Sequence, residues 1–109
     1  MPDKGPVRII LQHSHTTTYY TEQETIAACQ IEVQVLQQLC DAGVIQGIED
    51  VGGERRYSTE DIVQLRRAHR LQHDLGVNVE GIEVILHLLR RVESLQHELE
   101  GYRSVQKGQ

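Results

Sequence analysis

A chain of 109 residues and 12.4 kDa, with two Cys, no Trp and no Phe, has room for one small domain with an appendage. Sixteen acidic residues against eleven Lys and Arg leave a formal charge of −5, which argues against a general binder of nucleic acid or anionic membrane. No apolar run approaches the ~20 residues of a membrane span. The apolar stretch in MPDKGPVRIILQHSH is too short for a secretory leader. Cys29 and Cys40 have no paired spacing, so a reduced, cytoplasmic protein with two ordinary core thiols is expected.

Residues 1–20 read as an irregular arm with a strand around Val7–Leu11 and a β-prone run at Thr16–Tyr20. Thr21 stands three residues before Glu24 in the reciprocal pattern that opens a helix, which ends near Cys29. After the break at Gln30-Ile31-Glu32, a second helix is expected from Val33 to Ala42, with Val33, Leu36, Leu39 and Cys40 buried and Gly43 as its stop. Two short helices on a tight turn outline a helix-turn-helix. Ile45–Val51 and Arg55–Tyr57 flank Gly52-Gly53, a hairpin signal in which both turn positions accept positive φ.

Ser58 and Asp61 cap a third helix carrying Ile62, Leu65, Ala68, Leu71 and Leu75, ended by Gly76. A fourth, long helix begins at Asn78. Along it Ile85, Leu88, Val92, Leu95, Leu99 and Tyr102 follow an unbroken 3-4-3-4-3 spacing, a heptad seam. Its later turns have nothing of their own domain to rest on, so a partner helix, most simply the same helix of a second copy, is expected. Folding back onto the third helix is the alternative. The chain divides into an arm (1–20), a winged helix-turn-helix domain (21–76), a dimerisation helix (77–103) and a disordered tail (104–109).

Little in the sequence points to catalysis or to metal. His69 and His73 are four apart, a spacing that can chelate, but Arg70, Leu71 and Gln72 intervene and no Glu completes a metalloprotease pattern. His13 and His15 form a pair in the arm. There is no Gly-rich phosphate loop, nucleophile elbow or carboxylate pair, so neither an enzyme nor a cofactor or metal is expected.

The charge map is more informative. From residue 9 to residue 54 there is not one Lys or Arg, while Glu22, Glu24, Glu32, Asp41, Glu49, Asp50 and Glu54 give that stretch −7. Cations supply most of the affinity for duplex DNA, and base-edge contacts from Gln34, Gln37 and Gln38 specify without anchoring.

GGERRYSTEDIVQLRRAHRLQHDLGVNVEGIEVILHLL resembles the wing-to-helix stretch of the MerR superfamily, and more closely its HspR heat-shock repressor branch and the chaperone-modulator CbpM family. LCDAGVI resembles the end of the MerR recognition helix. The resemblance runs from about Tyr20 to Leu99 and implies an all-α fold with a small β-hairpin wing, a winged helix-turn-helix of MerR type followed by a long coiled-coil helix. Aligned through Gly43, the Arg that relatives aim at DNA is Gln37 and the following Tyr is Leu39, and Val33 and Gln34 replace the Pro or Ser that usually starts this helix.

In the CbpM family this scaffold binds and inhibits the J-domain of a CbpA/DnaJ-type co-chaperone, a partner with a basic helix that an acidic surface can steer and occupy. The expected J-domain face is Glu32, Gln34, Gln37, Gln38, Asp41, Glu49 and Asp50. The alternative, a DNA-binding repressor of heat-shock genes, would use Gln34, Gln37, Arg55, Arg56, Tyr57, Arg66 and Arg67.

Overall fold

The computed structural model describes the backbone of residues 7–10 and 16–107 and the side chains of 18–105. Leu11, His13 and His15 lie outside the described residues. Elements follow in the order β1 (Val7–Ile10), β2 (Thr16–Thr21), α1 (Glu22–Cys29), α2 (Val33–Asp41), β3 (Ile48–Glu49), β4 (Arg55–Ser58), α3 (Thr59–Leu75) and α4 (Val79–Lys107).

Local chemistry sets the helix starts. Thr21 Oγ1 accepts the Glu24 amide at 3.0 Å while Glu24 Oε1 accepts the Thr21 amide at 2.8 Å. Ser58 and Asp61 repeat the exchange at the head of α3, both bonds at 3.1 Å. Each box satisfies two amide groups that a helix start leaves without a partner. Asn78 Oδ1 accepts the Gly81 amide at 2.8 Å and opens α4.

The strands form one antiparallel sheet in the order β1-β2-β4-β3. The arm therefore contributes two strands: Tyr20 pairs with Tyr57 and Thr21 with Arg56, which welds β2 to the wing. In the wing turn only Gly53 takes positive φ (82°), although both glycines were candidates. Asp50 and Glu54 close the turn by a backbone bond of 2.8 Å. Gly47, at φ +63°, has no room for a side chain, since a Cβ there would meet Arg55 Cγ and the Arg56 carbonyl oxygen at 3.1 Å.

The core gathers Leu36 and Leu39 of α2, Ile45, Tyr57 of β4, Leu65 of α3, and Ile82 and Leu86 of α4, each at most 1% exposed. In α2 the buried set is Val35, Leu36 and Leu39, while Val33 is 40% exposed and Cys40 half-buried. Helical spacing misplaced Val33, because α2 is rotated so that Val35 packs inward in its stead, whereas Cys40, half-buried, does pack against the edge of the core. Leu75 likewise projects into solvent at the end of α3. Helix α4 runs through Gly101 to Lys107, past the point where a fraying end was expected. From Arg91 to Val105 every residue is exposed, so beyond the Glu93–Arg67 ion pair at its start this half of α4 neither rests on the domain nor folds back along α3.

Candidate partner interface

The exposed face of α2 presents Glu32, Val33, Gln34, Gln37 and Asp41. Glu32 is the N-cap residue with no side-chain capping bond, so its carboxylate faces water. None of these side chains has a hydrogen-bond partner among the described residues, and no cation lies on the helix. Gln38 does not belong with them. Its Nε2 donates to Glu80 Oε2 at 3.1 Å and to Glu83 Oε2 at 2.9 Å, fastening α2 to α4. Its neighbours in sequence gave no sign of this, because both acids lie more than 40 residues away.

The wing carries the next correction. Asp50, expected as a partner-binding anion, is consumed within the turn: Oδ1 accepts the amides of Gly52 (2.9 Å) and Glu54 (3.0 Å), and Oδ2 accepts Arg56 Nε at 2.9 Å. The Glu54 amide, then the Arg56 guanidinium, hold its carboxyl below the ordinary range. Glu49, on the edge strand, remains exposed.

The cations of the DNA-binding alternative are partly occupied in the same way. Arg56 pairs with Asp50, Arg55 Nη1 donates to the Gln46 carbonyl oxygen at 2.8 Å, and Arg67 Nη2 pairs with Glu93 at 3.2 Å. Arg66 is exposed. Tyr57 is 1% exposed and belongs to the core, where burial pushes its phenol well above the ordinary tyrosine range. Its hydroxyl lies 3.8 Å from Cys40 Sγ. Burial also raises both thiols, which keeps them protonated and unreactive.

The lobe also exposes apolar side chains, among them Val33, which helical spacing placed in the core. Val33 and Ile48 are each 40% exposed, and Val51 at the wing tip is fully exposed. Exposed aliphatic groups beside acids suit a protein surface better than a phosphate backbone. His69 Nδ1 lies 3.0 Å from the carbonyl oxygen of Gln30, the left-handed residue of the helix-turn-helix turn, and the His73 ring rests against it. The pair braces this turn. Among the described residues no three His, Cys, Asp or Glu side chains converge as a metal site, and no helix is long and apolar enough to cross a membrane.

Along α4, Ile85 is partly buried by the domain, while Leu88, Val92, Leu95, Leu99 and Tyr102 stand 48–72% exposed in one stripe.

A comparison with known proteins agrees with this architecture. The chain is 38% identical over 63 residues to a Streptomyces coelicolor protein named "Putative heat shock protein HspR", a match covering 58% of this chain and 42% of that protein. The chain thus spans less than half the length of the curated relative it matches. The family model described as MerR HTH family regulatory protein matches residues 20–104, from β2 through nearly all of α4. With its winged helix-turn-helix and long terminal helix, the chain belongs to the MerR helix-turn-helix family of regulatory proteins.

Proposed function

We propose that this protein is a non-catalytic, cytoplasmic regulator that binds a protein through the exposed face of α2, and that the partner is the J-domain of a CbpA/DnaJ-type co-chaperone. One observation carries the reading: the helix that would enter a DNA groove offers Glu32, Gln34, Gln37 and Asp41 to solvent and no cation. Duplex DNA repels such a face, whereas a basic helix on a protein is attracted by it. The exposed Val33 supplies the apolar contact an acidic rim needs at its centre. Blocking the basic helix would prevent the co-chaperone from engaging its chaperone.

A second reading is a DNA-binding repressor of heat-shock genes. The family membership and the likeness to HspR support it more directly than they support the first. Arg66 and Arg70 of α3 are exposed and, like Arg55, have no carboxylate partner among the described residues.

The two separate on a column and in a titration. A J-domain modulator passes through heparin and duplex DNA at low salt and binds the cognate J-domain with an affinity that falls as salt rises. A repressor is held on DNA. Tight capture of a promoter fragment at physiological ionic strength, with no J-domain complex, overturns the first reading. In either reading the exposed stripe of α4 pairs two copies of the chain into a homodimer, which sedimentation measures.

A further inference from the structure

A groove of about 360 Å³ runs between α3 and α4, lined by Arg67, Arg70, Leu71, Asp74, Leu75 and Leu89. It holds no residue of α2 or of the wing, so it is separate from the face described above. Half of its lining is apolar: Leu71 and Leu89 are half-buried, and Leu75 is 72% exposed. Arg70 and Asp74 stand exposed beside them, and neither forms an ion pair among the described residues.

The groove borders the stripe of α4. With Leu88, Leu95 and Tyr102 at d of the heptad, Leu89, Gln96 and Arg103 are its e positions, so the groove lies on the e edge of the seam. On the far half of the helix the same edge stands in solvent with every residue from Arg91 to Val105, a length of about 20 Å at 1.5 Å per residue. Each chain thus carries an uncovered groove and, on the same edge of the same helix, an uncovered stretch of helix.

The directions of the helices decide how the two can meet. Arg67 reaches Glu93 at 3.2 Å, while Leu71 and Leu89 share the groove, so α3 and α4 run antiparallel. In an antiparallel pair of chains Ile85 meets Tyr102 of the partner subunit, Leu88 meets Leu99 of the partner subunit, and the two e edges face each other. The second α4 then runs parallel to α3 along the open side of the groove. From N- to C-terminus α3 offers Arg70 and then Asp74, and the facing helix offers Glu100 of the partner subunit and then Arg103 of the partner subunit. The signs are opposite, in the same order, and about one helical turn apart on both helices.

We infer that the α3–α4 groove is completed by the α4 of a second copy, with Glu100 of the partner subunit on Arg70 and Arg103 of the partner subunit on Asp74, the arginine stem lying along Leu75. The inference rests on the homodimer reading and deepens it: the interface extends from the seam onto α3, and two-fold symmetry makes the contact twice. Continuity with the seam and the matched charges favour this occupant over a free ligand. A parallel pair forbids it, since Glu100 of the partner subunit would lie roughly 16 Å beyond Leu89 along the helix.

Sedimentation equilibrium of the full chain at low salt tests the contact. Asp74→Arg and Arg103→Asp should each weaken the dimer about tenfold, since one exposed pair is reversed at two symmetric sites. Combining the two should restore the constant to within about threefold of wild type, the signature of a direct pair in a double-mutant cycle. All these side chains are exposed, so the helix content by circular dichroism should not change. Single variants that dimerise as tightly as wild type, or a double variant no tighter than either single, overturn the inference while leaving the seam to Leu95→Lys. A wild-type chain that sediments as a monomer overturns the homodimer reading and this inference with it.

Discussion

Arg56 and Asp50 lock the wing onto itself: the guanidinium Nε donates to Oδ2 at 2.9 Å while the other oxygen of the same carboxylate gathers the amides of Gly52 and Glu54. The Arg56 cation and the Asp50 anion therefore cancel before any partner arrives, while Glu49, Glu54 and Arg55 of the wing stay exposed. An Asp with a depressed folded-state pKa contributes stability that is present above its ordinary value of 3.8 and is lost as pH falls through the lower, folded value. The Asp50 carboxyl should therefore titrate below 3.8 by NMR, and Arg56→Ala should move that midpoint upward. Asp50→Asn, by releasing Arg56, should increase retention on heparin. A midpoint at or above 3.8 in the native protein would show that the turn does not hold the carboxylate.

Charge reversal on α2 is the direct probe of the docking face. Since Asp50 and Gln38 are committed inside the domain, the informative sites are Glu32 and Asp41. Glu32→Lys and Asp41→Lys should each weaken J-domain binding about threefold to fivefold, the scale of one exposed charge pair, mostly through slower association. The double variant should also lose part of the salt dependence. Calorimetry at two ionic strengths reads both effects, and unchanged affinity in the double variant excludes α2 as the docking surface.

The contrast between Thr21 and Tyr57 shows what the sequence could reveal. The capping pairs at Thr21 and Ser58 and the stop at Gly76 were legible because their partners lie within four residues. The seam of α4 was legible because it repeats. Tyr57 was not, because RRYS reads equally as a wing contact or a core anchor until the Tyr20–Tyr57 pairing of β2 with β4 is known. Gln38 and Asp50 misled for the same reason: an exposed polar residue and one already bonded have the same letter. On the functional face, the missing cations were visible from sequence, but the exposed Val33 became visible only once the rotation of α2 was fixed.

Tyr57 accordingly makes a stability prediction in place of a binding one. Tyr57→Ala should cost about 3–5 kcal/mol by emptying a large core position, and Tyr57→Phe at most about 1 kcal/mol, since the hydroxyl meets only a thiol. With its phenol pKa raised by burial, the stability linked to Tyr57 is intact below pH 10 and is lost as pH rises beyond it. Denaturant titration of both variants at neutral pH checks the sizes, and tyrosinate absorbance should show one tyrosine ionising only as the fold opens.

The register of α4 makes the most discriminating prediction. With Val92 and Leu99 at a, and Leu88, Leu95 and Tyr102 at d, the flanking g positions are Val84, Arg91, Glu98 and Val105. In an antiparallel pair the g residues face one another. Arg91 then meets Glu98 of the partner subunit, and Val84 meets Val105 of the partner subunit, covering two valines that are 57% and 65% exposed in the single chain. In a parallel pair Val84 would instead face Leu89, which already packs on its own core, and Glu98 would face Arg103. Leu95→Lys should give a monomer by sedimentation, and Arg91→Glu should weaken the dimer by setting like charges together. The orientation is decided by Arg91→Glu combined with Glu98→Arg: the antiparallel pair regains its attraction and its dimer constant, whereas the parallel pair places two arginines opposite each other and stays weak. A double variant no tighter than Arg91→Glu alone would therefore reject the antiparallel register, and a Leu95→Lys chain that still sediments as a dimer would reject the seam.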